Sequence, residues 1–124
     1  MLFTTDSTCV SMTRARQLAG THLAESGLRV DVEAILIVVS ELLTNAIEHT
    51  IEQSWRLSVF TTDGTLVVEV TDSGNTLPVE RDGSRLDGSG GLGLGLIRSL
   101  CDYTEAAVTA TGKCVSARWW IARV

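Results

Sequence analysis

Lysine is nearly absent from this chain. Of its ten basic residues nine are arginines, and Lys113 is the one lysine in 124 residues. The arginines are scattered rather than gathered into a stripe, and the formal net charge is −5. That balance argues against a protein that grips a nucleic-acid backbone, whose phosphates need a basic face. Long hydrophobic runs are missing too: the unbroken apolar segment Ala34 to Val39 is far short of the roughly 18 residues of a membrane span. Residues 1–10 offer neither a basic n-region nor an apolar h-region, so no signal peptide and a cytoplasmic location are expected. The three cysteines, Cys9, Cys101 and Cys114, are odd in number and in no metal-type spacing. They read as small buried hydrophobes in a reducing compartment. Repeats and low-complexity segments are also lacking. What remains is an ordinary soluble balance, 44% hydrophobic and 20% charged, at a length suited to one domain spanning 1–124.

In chain order, Leu2 to Thr4 predicts a short edge strand. Asp6 or Ser7 can cap a first helix running to about Ser26, with Val10, Ala15, Leu18, Ala19, His22 and Leu23 as a loose apolar face. Gly20 interrupts its interior and Gly27 ends it. His22 reads as a partly buried helix residue. Asp31 is the natural N-cap of a second helix from Val32 to about His49. Arg56 to Phe60 and Thr65 to Thr71 alternate as strands around Asp63-Gly64, a strong hairpin signal. Ser73 to Gly91 is glycine-rich and polar, and helical spacing returns from Leu92 to Leu100. Tyr103 to Ala110 and Cys114 to Ile121 predict two last strands around Thr111-Gly112-Lys113. Hairpins in sequence with helices grouped apart predict an α+β two-layer sandwich of three helices on an antiparallel or mixed sheet.

Three stretches carry candidate chemistry. On the second helix Glu41, Asn45 and His49 recur at i, i+4 and i+8, placing a carboxylate, an amide and an imidazole on one stripe. An amide oxygen can ligate Mg²⁺, and a carboxylate one turn earlier can act on an attacking hydroxyl. By itself the stripe reads first as the solvent edge of an amphipathic helix. Asp72-Ser-Gly74 puts a carboxylate at a strand end, able to accept from an exocyclic amine, or merely makes a tight turn. Gly88-Ser-Gly-Gly-Leu-Gly-Leu-Gly-Leu96 frees backbone amides ahead of a helix, as in an anion cradle or a hinge. No Gly-Lys-Ser/Thr follows, so it is not a Walker A loop.

Together, Glu41-Leu-Leu-Thr-Asn45, Asp72-Ser-Gly74 and Gly91-Leu-Gly-Leu-Gly-Leu96 resemble, in order and spacing, the motifs of the Bergerat-fold (GHKL) ATPases, over about residues 8 to 122. The wording Val38-Val-Ser-Glu-Leu-Leu-Thr-Asn-Ala46 and the closing strand from Lys113 to Trp120 are similar to the stand-alone anti-sigma-factor serine/threonine kinases of bacterial partner switching (RsbW-like proteins). Histidine kinases carry in addition an upstream phosphoacceptor helix, for which no room is expected here. The resemblance implies a Bergerat-type sandwich that binds ATP and Mg²⁺. It implies Mg²⁺ at Asn45, Glu41 as general base, the adenine amine at Asp72 with Gly74 keeping the pocket open, and phosphates at Gly91, Leu92, Gly93 and Leu94. His49 either touches phosphate or caps its helix, and Ser73 to Gly90 is the implied lid. Implied partners are a sigma factor, a STAS-type anti-sigma-factor antagonist and a second copy of the chain, without nucleic acid or membrane. The chain departs from many relatives in Thr76, where a second glycine is usual, in a short 78–88 loop and in a nearly missing first strand. Two rival readings follow: a nucleotide-binding interaction module without kinase activity, and a redox-sensing domain using Cys101 and Cys114.

Overall fold

A computed structural model describes residues 1–48, 53–73 and 90–121, the last segment with its side chains from residue 95 onward. The elements are β1 (Phe3–Asp6), α1 (Met12–Glu25), α2 (Val32–Glu48), β2 (Trp55–Thr62), β3 (Thr65–Asp72), α3 (Gly90–Leu100), β4 (Tyr103–Val108) and β5 (Lys113–Trp120). The five strands form one sheet in the order β1-β2-β3-β5-β4, antiparallel at every pairing. The α+β expectation holds, and of the two sheet types left open the antiparallel one is found. Every connection that joins neighbouring strands directly is a hairpin, which only antiparallel pairing allows at such lengths.

The strand period of two sorts the sheet into a greasy and a polar face. Across the ladder Leu57, Val70 and Val115 stand opposite one another and join the core. One residue along, Thr4, Ser58, Glu69, Ser116 and Glu105 make a polar rung over all five strands. The helices cover the greasy side. Ala15, Ala19 and Leu23 of α1 recur at helical spacing and are buried, as are Ile35, Val38, Val39, Leu42, Leu43 and Ala46 of α2. Ile97 of α3 completes the cluster.

Local signals account for most boundaries. Asp63 and Gly64 both have positive φ, 49° and 75°, the geometry a two-residue hairpin needs. Asp31 Oδ1 accepts from the Ala34 amide at 3.1 Å and caps α2 as expected. Gly27, at φ 76°, turns the chain after α1. The start of α1 differs from the expectation. Ser11, not Asp6 or Ser7, is the cap, accepting from the Arg14 amide at 3.1 Å. Asp6 is used earlier, ending β1 and accepting from the Thr8 amide at 2.9 Å. Those Thr8 hydrogen bonds hold the Asp6 carboxyl below its usual range. The first strand is therefore four residues long, two beyond Thr4. Gly20 does not break α1: a Cβ there would lie 3.2 Å from Leu36 Cδ1, so the missing side chain lets α1 and α2 approach. His22 is exposed rather than partly buried, stacked on Phe3 with ring centroids 4.9 Å apart. The buried-hydrophobe reading of the cysteines holds in part, for Cys101 packs against the core. Cys9 is exposed and Cys101 and Cys114 are half-buried, all three as free thiols.

Candidate functional site

α2 carries the first part of the site. Its apolar positions turn inward against the sheet and α3, and Asn45 turns inward with them. Asn45 is 3% exposed and its Nδ2 has no hydrogen-bond partner. A buried amide donor left unpaired costs about 1–3 kcal/mol. Glu41, one turn before, is half-buried and Glu48 is exposed. The stripe is thus not a plain solvent edge, because its middle member is sunk into the interior. His49 lies outside the described residues.

The second part lies at the end of β3. Asp72 shares the inward parity of Val68 and Val70, and its cross-strand neighbour is Lys113, the first residue of β5. Lys113 Nζ stands 3.5 Å from Asp72 Oδ2, with the two side chains 0% and 2% exposed. The lysine ammonium makes no hydrogen bond. Gly112 positions this pair. A Cβ at Gly112 would fall 1.8 Å from the Asp72 carbonyl oxygen and 2.8 Å from Ser73 Cα, so only glycine lets the hairpin tip touch the end of β3. The Thr109 amide donates to the Gly112 carbonyl at 2.7 Å and closes that tip. A groove of about 520 Å³ opens at this end of the sheet, with Trp55, Asp72, Ser73 and Thr111 in its wall. A second groove of about 490 Å³, between Thr65, Tyr103, Arg118 and Trp120, contains none of the candidate site residues. Asp72 borders the first groove, whereas the fully buried Lys113 is not in its wall.

The third part is the N-terminus of α3. The helix begins at Gly90, two residues before the expected start, so Gly91, Leu92, Gly93 and Leu94 lie in its first turns. Glycine is poor within helices, at about 1 kcal/mol against alanine, which is why the sequence reads as loop here. The first amides of a helix have no intrahelical partner and remain available to a ligand. Gly74, Thr76 and the implied lid between residues 74 and 89 lie outside the described residues.

α2 packs against both β3 and α3, so the helix that bears Asn45 neighbours the strand ending in Asp72 and the helix that begins with the glycine turn. Two buried donors, Asn45 Nδ2 and Lys113 Nζ, lack hydrogen bonds. Among the described residues no group of three or more His, Cys, Asp or Glu side chains could hold a metal by themselves. Sequence reasoning missed Lys113 and Gly112. The signal was the parity of Lys113 with Val115, Ala117 and Trp119, which places the lone lysine on the inner face.

The thiols of Cys101 and Cys114 are shifted away from the reactive range. Burial first, then the Glu69 carboxylate, pushes the Cys114 thiol up to about 12, and burial also raises that of Cys101. Reactive thiols are shifted the other way. Among the described residues no helix is long and apolar enough to cross a membrane. In comparisons with known proteins, the family model described as the histidine kinase-like ATPase domain matches residues 5–119, nearly the whole chain. No curated protein was found to match.

Proposed function

Because the chain belongs to the histidine kinase-like ATPase domain family, we propose that it binds Mg-ATP and acts as a serine/threonine protein kinase and anti-sigma factor in bacterial partner switching. Its substrate in this reading is a STAS-type antagonist protein, its sequestered partner a sigma factor, and its working form a homodimer. One observation carries the nucleotide part. Asn45 is buried with an unpartnered amide, one helical turn after a half-buried carboxylate, on the helix packed against both β3 and α3.

The residues then divide the work. Bound Mg-ATP supplies the phosphoryl group and neutralises its charge. Asn45 offers its amide oxygen to the magnesium. Glu41, reachable from solvent, orients the partner's hydroxyl and takes its proton. Asp72 accepts from the base, while the first amides of α3, at Gly91 to Leu94, face the phosphates. Phosphoryl transfer asks mainly for such positioning and charge neutralisation. Calorimetry with ATP, ADP and Mg²⁺ on wild type and Asn45→Ala tests the site. Magnesium-dependent ATP binding that survives in Asn45→Ala would remove the magnesium assignment. Phosphate transfer to an antagonist that is unimpaired in Glu41→Ala would remove the base.

A second reading keeps the nucleotide but not the transfer, with ATP as a conformational ligand of an interaction module. The departure at Thr76, where many relatives carry a glycine, favours it. Labelled ATP mixed with a candidate antagonist separates the two readings. The redox reading is disfavoured by the raised thiols.

A further inference from the structure

We propose that the edge of β4 is a docking site for an extended segment of a partner protein, which adds to the sheet as a further strand and lays a basic side chain between Tyr103 and Trp120. The inference is independent of the nucleotide reading and concerns the opposite edge and face of the sheet.

An edge strand presents a row of amide and carbonyl groups, and chains that keep it unpaired blunt it by shortness, lysine or proline. β1, at one edge, is four residues long. β4, at the other, runs over Tyr103–Val108 with no lysine, arginine or proline. Among the described residues only β5 pairs with it. Its outward side chains Tyr103, Glu105 and Ala107 are all exposed, as is Val108 at its end. A groove borders the strand on each face of the sheet. The one of about 490 Å³ lies on the face away from the helices, and one of about 280 Å³ opens beside the end of α3, with Cys101 and Thr104 in its wall. Successive side chains of an added strand point alternately to the two faces, and so to the two grooves.

The larger groove selects the occupant. Tyr103 and Trp120 flank it, 54% and 71% exposed. Tryptophan and tyrosine are enriched at the energetic centres of interfaces. Cross-ties hold these walls in place: the Trp120 amide donates to Asp102 Oδ2 at 2.8 Å, and the Asp102 amide to the Arg118 carbonyl at 2.9 Å. Three carboxylates, of Asp63, Asp102 and Glu105, line the groove against one guanidinium, that of Arg118. Aromatic faces in an acidic surround attract a cation. β4 itself has none to give, so a second copy paired edge to edge would bring only Glu105 and no basic side chain. A partner segment that carries arginine or lysine does fit, because so long a side chain spans the strand spacing of about 4.8 Å and reaches over β4.

The test uses the full chain and an end-blocked peptide, Thr-Val-Thr-Arg-Thr-Val-Thr, whose β-branched residues favour an extended form. Trp55 and Trp119 are buried and Trp120 is exposed, so acrylamide quenching of fluorescence reports on Trp120. The peptide is expected to shield it and to shift the backbone amide signals of Tyr103–Val108 in ¹⁵N spectra. Citrulline in place of the arginine keeps the shape and removes the charge. Binding is then expected to weaken roughly three- to thirtyfold, the worth of a cation over aromatic faces. N-methylation of each alternate set of peptide amides, in two separate peptides, is expected to abolish binding for one set only. Trp120→Ala alters an exposed side chain and is expected to bind the arginine and citrulline peptides alike. No binding of the arginine peptide, equal binding of the citrulline peptide, tolerance of both N-methylated sets, or shifts that avoid β4 each overturn the proposal. Tetramethylammonium producing the same shielding and shifts would make this a small-cation site and overturn the added strand. Shifts of the same amides on dilution without peptide would give the edge to a second copy and overturn it likewise.

Discussion

Replacing Gly112 by alanine adds one methyl group at a place where the chain has no room for it. The new Cβ would stand 1.8 Å from the Asp72 carbonyl oxygen, whereas real Cβ atoms keep at least 3.0 Å from such neighbours. The hairpin tip must then retreat from β3 by roughly 1.2 Å, since close contacts of this kind are steeply repulsive. The obstacle is backbone, which cannot swing aside as a side-chain end would. Overpacking in a tight environment costs typically 1–3 kcal/mol, and this case belongs at the upper end, about 3 kcal/mol. For a chain of this size each kcal/mol lowers the melting temperature by about 3–5 °C, so a loss of about 9–15 °C is expected. Gly27→Ala is the control. Gly27 has φ 76° but nothing within 4 Å of a Cβ, so it isolates left-handed strain without a clash. That strain alone costs about 1–2 kcal/mol. Thermal unfolding of the two variants, followed by circular dichroism, measures the difference. A Gly112→Ala melting point within 3 °C of wild type, or above that of Gly27→Ala, would falsify the close approach of the hairpin tip to β3.

Other expectations follow from single residues. Asn45→Leu replaces an unpartnered buried amide by an apolar group of similar size, so its stability should match or exceed wild type by about 1–2 kcal/mol while magnesium-dependent ATP binding disappears; chemical denaturation and calorimetry on the same sample check both halves. Asp31→Ala removes the bond to the Ala34 amide and should cost about 1 kcal/mol, read as a shift in the urea midpoint. Cys114, raised from 9.0 to about 12, remains a thiol in the folded chain while the unfolded chain ionises. Its contribution is fully present below pH 9 and is lost as pH rises through 12. Native alkylation at pH 8 should therefore mark exposed Cys9 and spare Cys114, as peptide mass mapping would show; rapid labelling of Cys114 would contradict its burial.

Where the sequence was legible, the signal was local. Asp63-Gly64 names its own hairpin, Asp31 caps the helix that follows it, and alternation in β2 and β3 marks which side faces the helices. The start of α1 was ambiguous because Asp6, Ser7 and Ser11 are all able to cap, and only the pairing of β1 with β2 decides that Asp6 belongs to a strand. Glycine propensity hid the first turn of α3. In the site, Glu41 and Asn45 could be placed on a helix by spacing, but the burial of Asn45 depends on elements far away in the chain. The Lys113–Asp72 pair was hidden for the same reason. It joins residues 41 positions apart through the register of β3 with β5, and no local pattern carries that register.

Burial of Lys113 also determines what the surface is made of. With the only lysine inside, every positive side chain that solvent can meet, apart from the two histidines when protonated, is a guanidinium. Planar forks of this kind bind carboxylate and phosphate in pairs, and their charge does not titrate in the physiological range. Lysine acetylation therefore finds no target on the folded surface. A cell that tunes the contacts of this chain through its positive side chains must do so by chemistry directed at arginine.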